Sequence, residues 1–215
     1  MKYILLDLDG TLTNPEIGIT KSVQYALKAF GIIEENLGNL RKYIGPPFWV
    51  SLKEYHGIRE DQIEEVIAKY REYFSVTGIY ENEVYEGIEE CLAKLKAAGK
   101  KLILATSKPE IYANKILEHF GLVDYFTDVC GATMDSSRSN KEAVIRYALD
   151  RNHITDLDSV VMVGDRLHDV EGAKAVGIAS IGVLYGFGSK EELEEYNADW
   201  IAESVEELYE IIMKI

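Results

Sequence analysis

Cysteine is scarce in this 215-residue chain: only Cys91 and Cys130 occur, without CxxC spacing and without a histidine cluster nearby. Neither a disulfide scaffold nor a structural zinc site can be built from that, and a reducing cytoplasmic compartment is expected. Histidine is equally sparse; His56, His119, His153 and His168 are scattered and define no ligand set. Cationic excess is missing as well. Thirty-seven Asp and Glu against 23 Lys and Arg give a formal charge of −14, whereas binding a polyanion depends on cationic neutralisation of phosphates. DNA, RNA and anionic membranes are therefore not expected as partners. No apolar run approaches the ~20 residues needed to span a bilayer. No basic segment followed by an apolar stretch and a small-residue cleavage site stands ahead of the first strand, so no secretory signal is expected. Internal repeats and low-complexity segments are also lacking.

What is present is an ordinary globular composition, 47% hydrophobic and 28% charged, long enough for one good core plus a modest second lobe. The first fourteen residues are the most informative. The apolar run Tyr3-Ile4-Leu5-Leu6 delivers Asp7 and Asp9, one residue apart, followed by Gly10-Thr11. A short apolar run closed by a turn reads as a buried parallel strand, and open α/β sheets bind ligands beyond the carboxyl ends of such strands. Two carboxylates placed there repel one another unless a cation lies between them or one stays protonated, which points to a hard divalent metal.

From about residue 19 to 76 the periodicity is helical: Ser22-Val23, Ala26-Leu27 and Phe30 mark one amphipathic segment, and Ile63, Val66, Ile67 and Tyr70 another. Gly31, Gly45-Pro46-Pro47 and Gly57 punctuate the stretch, which predicts a small bundle of about four helices inserted into the core. Beyond Glu86 helices and strands alternate: helix 87–98, strand 101–105, helix 109–119, strand 126–131, helix 141–151 and strand 159–163. Gly177 to Val183 reads as a further strand, Ala198 to Ile201 as a short edge strand, and Val205 to Met213 as a closing helix. This alternation predicts a three-layer, doubly wound α/β fold with a parallel sheet. The acidic stretch 191–195 reads as an exposed helix face.

A second pair of acids ends another strand. Val160-Val161-Met162-Val163 runs into Gly164-Asp165, with Asp169 four residues on. Gly164 permits a sharp turn, and Asp169 by itself would suit a helix N-cap. If the two strands are neighbours, however, acids at both ends converge on one crevice and offer the oxygen-only shell that Mg²⁺ prefers. A third strand, Lys101 to Ala105, ends in Thr106-Ser107-Lys108-Pro109, where hydroxyls and a helix start suit phosphate oxygens or simply a capped helix. Lys141 heads helix 141–151 and is either a solvated lysine or the cation that balances a carboxylate and a bound phosphoryl group.

The order Asp7-Leu8-Asp9-Gly10-Thr11, Thr106-Ser107-Lys108, Lys141 and Gly164-Asp165-Arg166-Leu167-His168-Asp169 resembles the four motifs of the haloacid dehalogenase-like hydrolase superfamily. The resemblance covers essentially the whole chain and is nearest to the phosphoglycolate phosphatase-like and 5′-nucleotidase-like branch. It implies a Rossmann-like core of residues 1–14 and 82–215, with an α-helical cap of residues 15–81 inserted between the first and second motifs. It further implies Asp7 as nucleophile and Asp9 as general acid and base, with Mg²⁺ held by Asp7, the Asp9 carbonyl and Asp165. Asp169 would orient metal-bound water, and Gly10, Thr11, Thr106, Ser107 and Lys141 would shape and hold the phosphate site. Relatives that attack carbon lack the acid at the position of Asp9.

The implied activity is Mg²⁺-dependent hydrolysis of a small phosphorylated metabolite, a phosphoglycolate or nucleoside monophosphate, through an aspartyl phosphate. A phosphotransferase or sugar phosphomutase, a pyrophosphatase and a non-catalytic binding protein are the alternatives. Residues 41–48 are expected to line the substrate pocket, with Arg41, Tyr43 and Phe48 as contacts, and Arg138 is a further anion-binding candidate. Lys21, Lys42 and Trp49 belong to the same group of cap residues. A monomer or weak homodimer is expected.

Overall fold

The computed structural model describes residues 1–46 and 48–215; Pro47, part of the expected Gly-Pro-Pro turn, lies outside them. Contacts divide the chain into two compact units, Met1–Asn14 with Val84–Ile215, and Pro15–Glu83. The larger unit is built on six strands: β1 (Tyr3–Leu6), β4 (Lys101–Pro109), β5 (Asp128–Ala132), β6 (Val160–Gly164), β7 (Ala179–Val183) and β8 (Trp200–Ala202). Their order is β5-β4-β1-β6-β7-β8 and every pairing is parallel. β2 (Thr13–Asn14) and β3 (Glu83–Val84) form a separate two-stranded sheet. Two residues carry no period, which is why no sequence pattern announced them.

β1 lies between β4 and β6, so Leu6 sits beside both Leu104 and Val163. The acids that follow β1 and β6 therefore leave the sheet side by side. Strands this apolar need cover on both faces. Leu5, Ile103, Ala105, Cys130, Val160 and Met162 pack on one face against Val144, Ile145 and Ala148 of α6 (Lys141–Arg151) and Ala173 and Val176 of α7 (Leu167–Val176). The alternating set Ile4, Leu6, Leu102, Leu104, Val161 and Val163 is also fully buried. α4 (Ile88–Ala97) packs on β4, and α9 (Val205–Lys214) on β8 and α4; α5 (Glu110–His119) follows β4, and α8 (Lys190–Glu195) follows β7. This is the three-layer, Rossmann-like parallel α/β core. β4 runs four residues past its expected end, with a register shift between Thr106 and Pro109 that keeps it paired to β5. Polar Thr106, Ser107 and Lys108 concealed that extension.

The smaller unit holds three α-helices among its described residues: α1 (Glu16–Ala29), α2 (Phe48–His56) and α3 (Ile63–Phe74). In place of a fourth, Leu37–Tyr43 winds as a 3₁₀ helix, started by the Asn36 side chain accepting from the Gly38 N–H. α1 buries Ile19, Val23, Ala26 and Leu27, spaced as one face of a helix, and packs on α3. Gly31, with φ of +78°, follows the end of α1. No helix among the described residues is long and apolar enough to cross a membrane.

Gly18 in α1 is required by a close approach: a Cβ there would lie 1.9 Å from the Gly78 carbonyl oxygen. Gly18→Ala gains up to about 1 kcal/mol of helix propensity, but forcing backbone apart costs about 1–3 kcal/mol. The clash wins, and thermal unfolding should show a Tm lowered by roughly 2–8 °C; an unchanged or raised Tm would show that the approach is slack.

Candidate active site

The carboxyl ends of β1, β4 and β6 supply the site. After β1 the chain turns at once: the Gly10 N–H donates to the Thr13 carbonyl at 2.8 Å and the Leu12 N–H to the Leu8 carbonyl at 2.9 Å. Gly10 holds φ of +79°, and a Cβ on it would lie 2.1 Å from Asp165 Oδ2. Only glycine permits both that backbone and that contact. Gly164 serves in a way not foreseen. Its φ is not positive; instead its missing Cβ leaves space for the Asp169 carboxyl, whose Cγ would otherwise be 2.0 Å away.

One ligand oxygen each from Asp7, Asp165 and Asp169 lies within 4.8 Å of the others. Unit charges at that spacing repel by about 3 kcal/mol per pair even at an effective dielectric near ~20, so the cluster must be balanced. Lys141, on the first turn of α6, provides part of the balance. Its buried Nζ is 2.9 Å from Asp7 Oδ1 and 2.8 Å from Asp169 Oδ1, and it donates to the Ala105 carbonyl at 3.1 Å. The ammonium is thus enclosed by two carboxylates and by the Ala105 carbonyl that accepts its hydrogen bond. Burial alone would lower the Lys141 pKa, but the Asp169 and Asp7 charges outweigh it and hold the ammonium well above its usual range. Asp169 is pushed up to about 6 by burial, against the opposing pull of Lys141. Burial, then the Asp169 charge, raises Asp165 well above the usual carboxylate range. Asp169 is not the N-cap of α7; it occupies the third helical position, and its Oδ2 accepts from the N–H of the cap residue Arg166 at 3.2 Å.

Asp9 is held separately. Its Oδ2 pairs with Lys108 Nζ at 2.7 Å, while its buried Oδ1 has no partner. Burial raises its pKa, partly offset by Lys108. Lys108 is itself buried. It stands in the Thr106-Ser107-Lys108 motif but carried no assigned role, because a lysine before a proline gives no sign in sequence that it turns inward. Thr106 is buried and its Oγ1 accepts from the Lys108 N–H at 3.2 Å; Thr11 is fully buried with its Oγ1 unpartnered, and Ser107 is half-buried.

The remaining candidates have contacts of their own. Tyr43 is 3% exposed, with its hydroxyl 2.5 Å from His56 Nδ1 and its ring against Phe48 and Tyr55, so it is accounted for as core of the helical unit. Arg41 pairs with Glu16 at 3.2 Å, and the Phe48 ring lies 4.5 Å from that of Tyr70. Arg138 stacks on Tyr147 at 3.5 Å, donates from Nε to the Gly131 carbonyl at 2.8 Å and pairs with Glu110. Those contacts tie the guanidinium to β5, α5 and α6.

The fit to a divalent cation is favourable. The donor set is oxygen only, and four carboxylates, those of Asp7, Asp9, Asp165 and Asp169, face the two ammonium groups of Lys108 and Lys141. Residues of this chain could hold a metal here. Lys141→Met would leave two buried carboxylates without their counter-ion. Urea unfolding in EDTA should show a loss of about 3–5 kcal/mol; a loss under ~1 kcal/mol would mean that the carboxylates are balanced by other means.

Three comparisons meet at this geometry. Residues 4–183 match the family model for haloacid dehalogenase-like hydrolases. The chain is 45% identical over 193 residues to a 5′-nucleotidase of Pseudomonas aeruginosa, covering 90% of this chain and 87% of that protein. It is 38% identical over 214 residues to the tyrosine-protein kinase PtkA of Mycobacterium tuberculosis, covering 98% and 72% respectively. A crystal structure of a predicted phosphatase from Clostridium acetobutylicum superposes with a TM-score of 0.97 at 47% identity, over 100% of this chain and 99% of that one. The chain belongs to the haloacid dehalogenase-like hydrolase family and is a phosphohydrolase of that family.

Proposed function

We propose that the protein is a Mg²⁺-dependent phosphatase of small phosphate monoesters, of the phosphoglycolate or nucleoside monophosphate class, acting through an aspartyl phosphate on Asp7. The observation that carries this reading is the asymmetry of the two β1 acids. Asp7 shares Lys141 with Asp169 in the carboxylate cluster, whereas Asp9 stands outside that cluster and pairs with Lys108. Asp7 is placed among the metal-site acids to act as nucleophile, and burial, which raises the Asp9 pKa, suits Asp9 to carry a proton.

In the first half-reaction an Asp7 carboxylate oxygen attacks phosphorus, the bond to the leaving oxygen breaks, and Asp9 gives that oxygen its proton. Its raised pKa, caused by burial, favours having the proton to give. In the second, the Asp9 carboxylate takes a proton from water as the water oxygen attacks phosphorus. The Asp7–phosphorus bond breaks, inorganic phosphate leaves, and both carboxyl groups return to their starting states. Lys141 offsets the negative charge of Asp7 as the dianion approaches, and Thr106, with Ser107 and the Gly10-Thr11 turn, is assigned to the phosphoryl oxygens. Mg²⁺, held by Asp7, the Asp9 carbonyl and Asp165 with Asp169 behind them, would neutralise phosphoryl charge when bound.

The likeness to a tyrosine-protein kinase favours a second reading, in which a hydroxyl replaces water as acceptor of the phosphoryl group. Within the helical unit, Arg41, whose side chain is 55% exposed, and the half-buried Phe48 are assigned to selection of the leaving group.

Phosphate release from phosphoglycolate, nucleoside 5′-monophosphates, sugar phosphates and pyrophosphate, with Mg²⁺ and then with EDTA, tests the reading. Release should depend on the metal and concentrate on monoesters, and Asp7→Asn should lower it about a thousandfold or more with the fold intact. Loss of donor phosphate to an added hydroxyl without free phosphate would favour the transferase, and full activity in Asp7→Asn would remove Asp7 as nucleophile. Arg41→Ala and Phe48→Ala should reorder the ranking of substrates; an unchanged ranking would take both out of substrate selection.

A further inference from the structure

The segment after β7 has no part in the chemistry above, yet it grips the loop that carries Asp165. The Phe187 N–H donates to Asp165 Oδ2 at 2.8 Å. A Cβ on Gly186 would lie 2.3 Å from the Gly10 carbonyl oxygen and 2.4 Å from Asp165 Cβ, and one on Gly188 would lie 1.9 Å from the Asp165 carbonyl oxygen. Neither glycine has a positive φ. Space, not backbone freedom, is what these positions require. Farther along, Glu192 of α8 turns back to the same loop: its Oε1 accepts from the Leu167 N–H at 2.7 Å and from Arg166 Nε at 2.9 Å. Residues 165, 166 and 167 are thus each held by a residue between 186 and 192.

The segment is itself anchored. The Leu184 N–H donates to the Ala202 carbonyl at 2.9 Å, and the Ser189 side chain caps α8 by accepting from the Glu192 N–H. Leu193 is fully buried, its Cδ1 lying where a Cβ on Gly182 would be only 2.5 Å away. So α8 is not merely an exposed acidic face. Leu193 fastens it to the sheet, and Glu192 is thereby aimed at the start of α7.

A carboxylate that must share a crevice with two others is repelled by them and will turn away unless something fixes it. An N–H on one oxygen, together with backbone packed against its Cβ, leaves one orientation. Outer contacts of this kind commonly govern how well a ligand set binds its metal. We propose that residues 186–192 are a clamp that holds Asp165 oriented for cation binding, with Gly186 and Glu192 as positioning residues. The proposal rests on the metal reading given under the proposed function.

The test is Mg²⁺ alone, titrated calorimetrically into the EDTA-stripped full chain, with Tm in EDTA measured beside it. Gly186→Ala should raise the Kd for Mg²⁺ by about 10- to 100-fold. Glu192→Gln should raise it severalfold, because a neutral acceptor holds the Arg166 Nε–H and the Leu167 N–H less firmly than a carboxylate does. Glu194→Gln, on the exposed face of the same helix, should leave Kd within about twofold, as expected of an exposed charge. Gly186→Ala and Glu192→Gln proteins with an unchanged Kd overturn the clamp, and so does a lowered Tm in EDTA without a change in Kd, which would mark a purely structural role. Should Gly186→Ala fail to fold, Glu192→Gln decides alone. If the unaltered chain binds no Mg²⁺, the metal reading itself fails, an outcome set apart because every variant is then equally silent.

Discussion

The Lys141 ammonium, enclosed by Asp7 Oδ1, Asp169 Oδ1 and the Ala105 carbonyl, is the interaction on which the site depends. It joins four segments that are distant in sequence: the end of β1, the middle of β4, the first turn of α6 and the first turn of α7. A buried lysine with one carboxylate would be a costly ornament. With two carboxylates and a carbonyl around one ammonium, the acids can be drawn within 4.8 Å of a third, Asp165, without driving the strand ends apart. The charge still left over is negative and is carried by oxygen donors alone, the condition under which a hard divalent cation binds.

This crowding is tolerable only because the frame beneath it does not yield. β1 is hydrogen-bonded on both sides, and its residues are buried on both faces of the sheet. The side chains that leave its end therefore start from a fixed plane. The neighbouring loops keep that precision by omitting side chains: Gly10 lies against Asp165 and Gly164 against Asp169 at distances no Cβ could occupy. Stability and function are coupled here through packing. What holds the strands together is also what keeps like charges close.

The parts of the fold that were readable in sequence are those with a long apolar period. β1 and β6, and α1 with its Val23, Ala26 and Leu27 face, stand where periodicity put them. The parts that were not are short, polar or ambiguous. β4 continues through Thr106, Ser107 and Lys108 because β5 and not hydrophobicity keeps it extended. For Tyr43 and Arg138 the sequence leaves the role open, because an aromatic or a guanidinium in a turn can serve either a ligand or the protein. Only the tertiary contacts show what each touches within the chain, Tyr43 the His56 ring nitrogen and Arg138 the Tyr147 ring, the Gly131 carbonyl and Glu110.

By itself the sequence determined the chemistry on offer. Asp7, Asp9, Asp165 and Asp169 stand at strand ends or helix starts, in an order that resembles one family, because motif spacing is a local property of the chain. Only the tertiary structure decided how those groups are shared out. The sheet order set β6 beside β1 and so made two acid pairs into one cluster. It gave Lys141 to Asp7 and Asp169, and Lys108 to Asp9. It also turned Glu192, one of a run of acids with nothing to distinguish it, back onto Arg166 and Leu167. Pairing of charges depends on distance through space, and parallel strands joined by crossovers bring together residues whose separation along the chain says nothing of that distance.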